Sequence, residues 1–123
     1  PPGGAYELTS VARRLDAISP AGPPTPSVAF VEVEGEGDPK ALGSWAREVL
    51  GAHGRRLLRL QAVSSLRGRP ERWALSAVRT ISSSGLCGPA PSGARRARAL
   101  AVGHDLDVDF LERSLSHVVR TSP

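Results

Sequence analysis

The sequence has no methionine, one cysteine, one lysine and only 4% aromatic residues among its 123. Each shortage excludes something. Without methionine the chain as it stands lacks a natural start, as a processed, trimmed or excised piece would. The Ala/Arg/Gly/Pro bias suggests a GC-rich genome. With Cys87 alone, no disulfide framework can form within the chain, and a reducing, cytoplasmic setting is expected. With so few aromatics, the core must be assembled from Leu, Val and Ala. No apolar run approaches the roughly 20 residues that cross a bilayer. Nor does an apolar segment with a basic leader mark a secretion signal.

The remaining composition is that of an ordinary globular domain: 40% hydrophobic and 23% charged residues. The net charge is +4, with Lys40 beside fifteen arginines. A high isoelectric point raises the question of nucleic acid. The arginines are scattered, however, and dense only in "ARRAR" (94–98). Phe30, Trp73 and Tyr6 do not form the stacking pattern of an RNA-binding sheet. The expectation is a solvated basic surface, with nucleic-acid binding as the alternative.

Periodicity supplies the elements. Leu8, Val11, Leu15 and Ile18 recur at helical spacing, with Thr9 or Ser10 as a cap, until Pro20 and a Pro-rich linker. Residues 1–27 therefore read as a helix and linker, and 28–123 as one α+β domain. "VAFVEVE" alternates, placing Val31 and Val33 opposite Glu32 and Glu34. Asp38-Pro39 is a helix start, Leu42, Trp45, Val49 and Leu50 give one face, and Gly54 is a stop. Residues 55–85 read as a hairpin turning at "RGRPE": Leu58, Leu60 and Val63 lie on one arm, and Trp73, Leu75, Val78 and Ile81 on the other. The uneven offsets imply bulges. A loop over 86–96 leads to a strand over 96–106 that is apolar on both faces, hence interior or covered on both sides. Asp107 then caps a helix presenting Val108, Leu111, Leu115 and Val118. The expected fold is an antiparallel sheet of four to five strands with helices packed on one face.

Four segments resemble the C-terminal domain of the CobW family of G3E-type GTPases and metallochaperones. They are "HGRRLLRLQAVSSLRGRPERWALSAV" (53–78), "RRARALAVGHDLDVDFLERSL" (95–115), "DPKALGSWAREVL" (38–50) and "VARRLDAISPAGP" (11–23). The last resembles the closing helix of the family's GTPase domain. The sequence departs from the pattern at Gln61-Ala62, where the family has Lys-Gly. It also lacks a Gly-x-x-x-x-Gly-Lys-(Ser/Thr) phosphate loop and a Cys-x-Cys-Cys metal motif. The resemblance therefore implies a non-catalytic binding or regulatory module. It would need no cofactor, and would dock a GTPase domain or a client metalloprotein through a sheet surface flanked by Glu32 and Glu34.

No catalytic, cofactor or metal residue is assigned. His104 stands beside Asp105, Asp107 and Asp109, and reads as the seam between strand and helix; weak metal binding through His104, Glu32 or Glu34 is the competing reading. His53 and His117 sit at helix ends, where a charged imidazole suits the dipole. Cys87 reads as incidental. Trp45 and Trp73 read as packing together against the sheet, or else as partner anchors.

Overall fold

The computed structural model describes residues 3–16, 28–78 and 81–119. The elements are α1 (Gly3–Asp16), β1 (Val28–Glu34), α2 (Pro39–His53), a single 3₁₀ turn (Gly54–Arg56), β2 (Leu57–Ser65), β3 (Arg72–Val78), β4 (Ile81–Cys87), β5 (Arg96–Gly103) and α3 (Val108–Val118). The strands form one antiparallel sheet in the order β1-β5-β2-β3-β4. The fold is α+β, as the sequence predicts. β5 enters between β1 and β2, so β1, α2 and β2 form a split β-α-β unit. This insertion makes β5 an interior strand, as the sequence predicts, with Ala97, Ala99 and Ala101 on one face and Arg96, Arg98, Leu100 and Val102 on the other.

The helix signals operate as read. Asp38 accepts a hydrogen bond from the Ala41 amide at 3.3 Å, with Pro39 in the first turn. Gly54 ends α2 at φ 56°, a conformation open to glycine, and its amide donates to the Leu50 carbonyl. Asp107 accepts from the Phe110 amide at 3.0 Å and starts α3.

One face of the sheet carries Ala29, Val31, Leu60, Ala62, Trp73, Leu75, Ala77, Ala97, Ala99 and Ala101, all buried against Leu42, Trp45, Val49, Leu111 and Leu115 of α2 and α3. The run of alanines lets the helices settle close to the sheet. Trp45 and Trp73 belong to this same core, and the Trp45 indole N–H donates to Ser114 Oγ at 2.9 Å, joining α2 to α3.

The expectation of helices on one face holds for α2 and α3 and not for α1. Leu8, Val11, Ala12 and Leu15 cover the opposite face, over Val63, Ala74 and Cys87. Thr9 and Ser10 lie inside this helix, which begins at Gly3. Ile18, Pro20 and the linker lie outside the described residues.

The hairpin also differs from its reading. β3 ends at Val78, and β4 starts at Ile81 and pairs back along it, so residues 55–87 hold three strands. The expected bulge lies in β2, where the register with β5 shifts between Leu57 and Arg59. Leu58 is the displaced residue and is 37% exposed, whereas Leu60 and Val63 are buried on opposite faces. Val108 likewise points outward at the start of α3.

Gly103 sits where β5 meets the corner entering β2. A Cβ there would lie 2.0 Å from the Arg56 carbonyl oxygen, against rigid backbone. Gly103→Ala should therefore lower the unfolding free energy by about 1–3 kcal/mol, visible as an earlier urea midpoint with an unchanged slope.

Candidate functional site

The densest basic segment is paired within the chain, and one of its arginines is buried. Arg98 points from β5 toward the α1 face and is 5% exposed. Its Nε donates to Glu32 across the β1–β5 pair at 2.5 Å, and its Nη1 donates to the Leu15 carbonyl at 2.7 Å and the Asp16 carbonyl at 3.4 Å. The last carbonyls of a helix have no partner within it and carry its negative dipole end, so a guanidinium suits them. The same guanidinium lies 5.8 Å from the Phe30 ring centre.

Arg72 holds the same helix end from β3. Its Nη1 and Nη2 donate to the two Asp16 carboxylate oxygens at 2.9 and 3.3 Å, and its Nε donates to the Gly88 carbonyl at 2.9 Å. Arg96 lies 3.5 Å from the Glu32 carboxylate. Arg95 donates to Glu36 at 2.7 Å and to the Leu66 and Arg69 carbonyls, tying the β5 entry to the β2–β3 turn. Arg95, Arg96 and Arg98 thus each meet an acceptor within the chain, with Arg98 buried and Arg95 and Arg96 about a third exposed, which weakens the reading of "ARRAR" as a phosphate-binding patch.

The acidic strand face changes meaning for the same reason. Glu32 serves Arg98 and Arg96, and Glu36 serves Arg95. Glu34 is exposed, whereas Glu32 is partly buried within its ion pairs.

His104 is exposed, and its backbone amide donates to the Arg56 carbonyl at 2.8 Å. Arg56 returns a bond from Nη1 to the Asp105 carbonyl at 2.7 Å, across a left-handed Asp105 at φ 49°. These bonds make the seam that the sequence suggests. Val28 faces Val102 and Glu34 faces Arg96, so His104 and Glu34 lie at opposite ends of the strand pair, roughly 20 Å apart. Among the described residues no three His, Cys, Asp or Glu side chains are grouped to hold a metal ion.

The histidine that matters for structure is His53. It is 3% exposed; its Nδ1 lies 3.0 Å from the Val49 carbonyl and its Nε2 accepts the Asp107 amide at 3.2 Å. A carbonyl only accepts and an amide only donates, so the hydrogen is on Nδ1 and the lone pair on Nε2. His53, at the end of α2, thus links that helix to the start of α3. The Phe110 ring centre lies 6.0 Å away.

Cys87 is buried beneath α1, and burial raises its thiol pKa above the ordinary value, with Arg72 opposing and Asp16 adding.

Two uncovered features remain. On the α1 face, Ile81, Val78, Arg59, Val102 and Val28 form one cross-strand row over all five strands. Ile81 is 76% and Val78 41% exposed. On the α2 face, an open groove of about 850 Å³ is lined by Leu50, Gly51, Leu57, Leu58 and Ser82 among others. No helix among the described residues is long and apolar enough to cross a membrane.

Residues 27–119 match the family defined as the cobalamin synthesis protein cobW C-terminal domain. The chain belongs to this family. Two solved structures share its fold: the Zn(II)-bound YjiA GTPase from E. coli, at TM-score 0.67, and a Zn(II)-bound triple mutant of YjiA GTPase, at 0.68. Each is 16% identical over 76% of this chain, and the chain spans 29% of the length of either. No curated protein matches the sequence. The family match starts at residue 27, so α1 lies outside it.

Two outcomes follow from this chemistry. Arg98→Ala leaves the α1 carbonyls without this donor and Glu32 with Arg96 as its remaining ion pair, and should cost about 3 kcal/mol. In hydrogen exchange, α1 amides should lose protection ahead of those of β2 and β5. Cys87 should react with a disulfide reagent at pH 8 far more slowly in the folded chain than in urea, because burial disfavours the thiolate.

Proposed function

We propose that this chain is a non-catalytic docking and regulatory module of a CobW-type, GTP-dependent metallochaperone, working in the cytoplasm. Its partner is a GTPase domain, with a client metalloprotein as the further contact. Family membership supports the class. The observation that carries the docking role is the uncovered row beside α1. A face already seating a helix by apolar and arginine contacts continues into exposed Ile81 and Val78. A patch of this kind, next to an occupied surface, is where a larger partner can extend the contact. The segment 11–23, which resembles the closing helix of the family's GTPase domain, includes the end of α1 and would bring that domain to the same face.

The proposal rests on surface and packing. Nucleotide hydrolysis, and the metal handled by the assembly, belong in this reading to the partner. Such a module influences catalysis only if it binds one nucleotide state more tightly than another.

The test is calorimetric titration of the chain into a CobW-family GTPase domain stripped of its own C-terminal domain, loaded with GDP or with a non-hydrolysable GTP analogue. Binding that differs between the two states is expected. Val78→Asp, on an exposed strand position, should weaken binding at least about tenfold while the circular dichroism stays the same. Absence of binding in both states, or phosphate release from GTP by the chain alone, contradicts the proposal.

A further inference from the structure

The two sheet edges are built differently. The β1 edge carries Glu32 and Glu34, and Glu34 is exposed. The opposite edge, β4, reads Ile-Ser-Ser-Ser-Gly-Leu-Cys over seven residues, with no charge and no proline. No strand among the described residues pairs with its outer side. Edges of this length are ordinarily blunted by charge, proline or a bulge, because an open backbone ladder recruits another strand. Here the protection is placed on one edge and withheld from the other.

The side chains of β4 also fit their own image. Ser82, Ser84 and Leu86 share the α2 face, since they pair with Ala77, Leu75 and Trp73 of that core. All three are exposed, Leu86 to 48%. An antiparallel β4–β4 pair with its two-fold axis at Ser84 sets Ser82 of one copy opposite Leu86 of the other. Ser82 lines the groove formed by Leu50, Leu57 and Leu58 together with Arg55. Directly paired side chains on one face stand about 4.5–5.5 Å apart. The second copy's Leu86 therefore comes to the rim of this groove, and the arrangement repeats by symmetry. Each chain carries both the projecting residue and its receptor, the condition for an isologous two-fold contact.

We propose that β4 is a self-association edge, joining two copies into one continuous ten-stranded sheet. The inference does not rest on the docking proposal, which uses the α1 face through Val78 and Ile81. An edge contact of seven residues is small, so the dimer belongs to the weak, concentration-dependent class.

Sedimentation of the whole chain over a range of concentrations tests it, with circular dichroism confirming that every variant is folded. The wild type should show a monomer–dimer equilibrium. Ser84→Lys and Ser84→Glu each place like charges on the symmetry axis, and each should weaken dimerisation about fivefold. An equimolar mixture of the two should restore dimer as a one-to-one hetero-pair. A wild type that stays monomeric at millimolar concentration overturns the proposal. So does a dimer indifferent to both substitutions, or a mixture that fails to pair. A monomer whose β4 edge instead takes up an extended peptide from another protein overturns it as well.

Discussion

The constraint on which the structure depends is that its sheet is covered on both faces by different means. On the α2/α3 face the cover is apolar: alanines on β1, β2, β3 and β5 under leucine, valine and tryptophan. On the α1 face, the strand positions that would continue such a layer include Arg72 and Arg98. Burying two guanidinium groups is costly unless every donor finds an acceptor. Here the acceptors are the Glu32 and Asp16 carboxylates and the carbonyls at the end of α1 and beyond β4. The arginines therefore define where the helix ends and which carboxylates it must meet, a specificity that apolar contacts alone lack.

The same arrangement reorganises the electrostatics. A chain of net charge +4 looks, as a sequence, ready to meet an anion. Folding buries Arg98 and pairs Arg95 and Arg96, still partly exposed, with Glu32, Glu36 and backbone carbonyls. It also separates Glu34 from His104 along the strand pair and commits His53 to joining α2 with α3. Among the exposed features left over are Val78 and Ile81 beside Arg59 on the α1 face, and the uncharged β4 edge.

Features set by local chemistry were legible in the sequence: the Asp38-Pro39 start, the Gly54 stop, the Asp107 cap and the alternation of β1. The double-sided apolarity of β5 pointed to an interior strand. The family resemblance of the same segments agrees with the match over residues 27–119. Three things were hidden. β4 is made of serines and a glycine, residues with weak strand preference and no apolar alternation, so it blurred into a loop. The stripe of α1 showed that the helix is amphipathic, but not which face of the sheet it covers. Most of all, "RARAL" looked like a charge cluster, although its alternation places Arg96 and Arg98 on one face with Leu100. Only the register pairing Glu32 with Arg98 discloses the acceptor, and register is a property of the folded sheet.

The most direct measurement is a solution NMR search for side-chain contacts between α1 and the sheet in the unmodified chain. Cross-peaks from Leu8, Val11 and Leu15 to Val63, Ala74 and Cys87 are predicted, with the Arg98 guanidinium protons protected from solvent exchange. A disordered segment 3–16 over a solvent-exposed Val63 and Ala74, with Arg98 exchanging freely, would contradict the two-faced architecture.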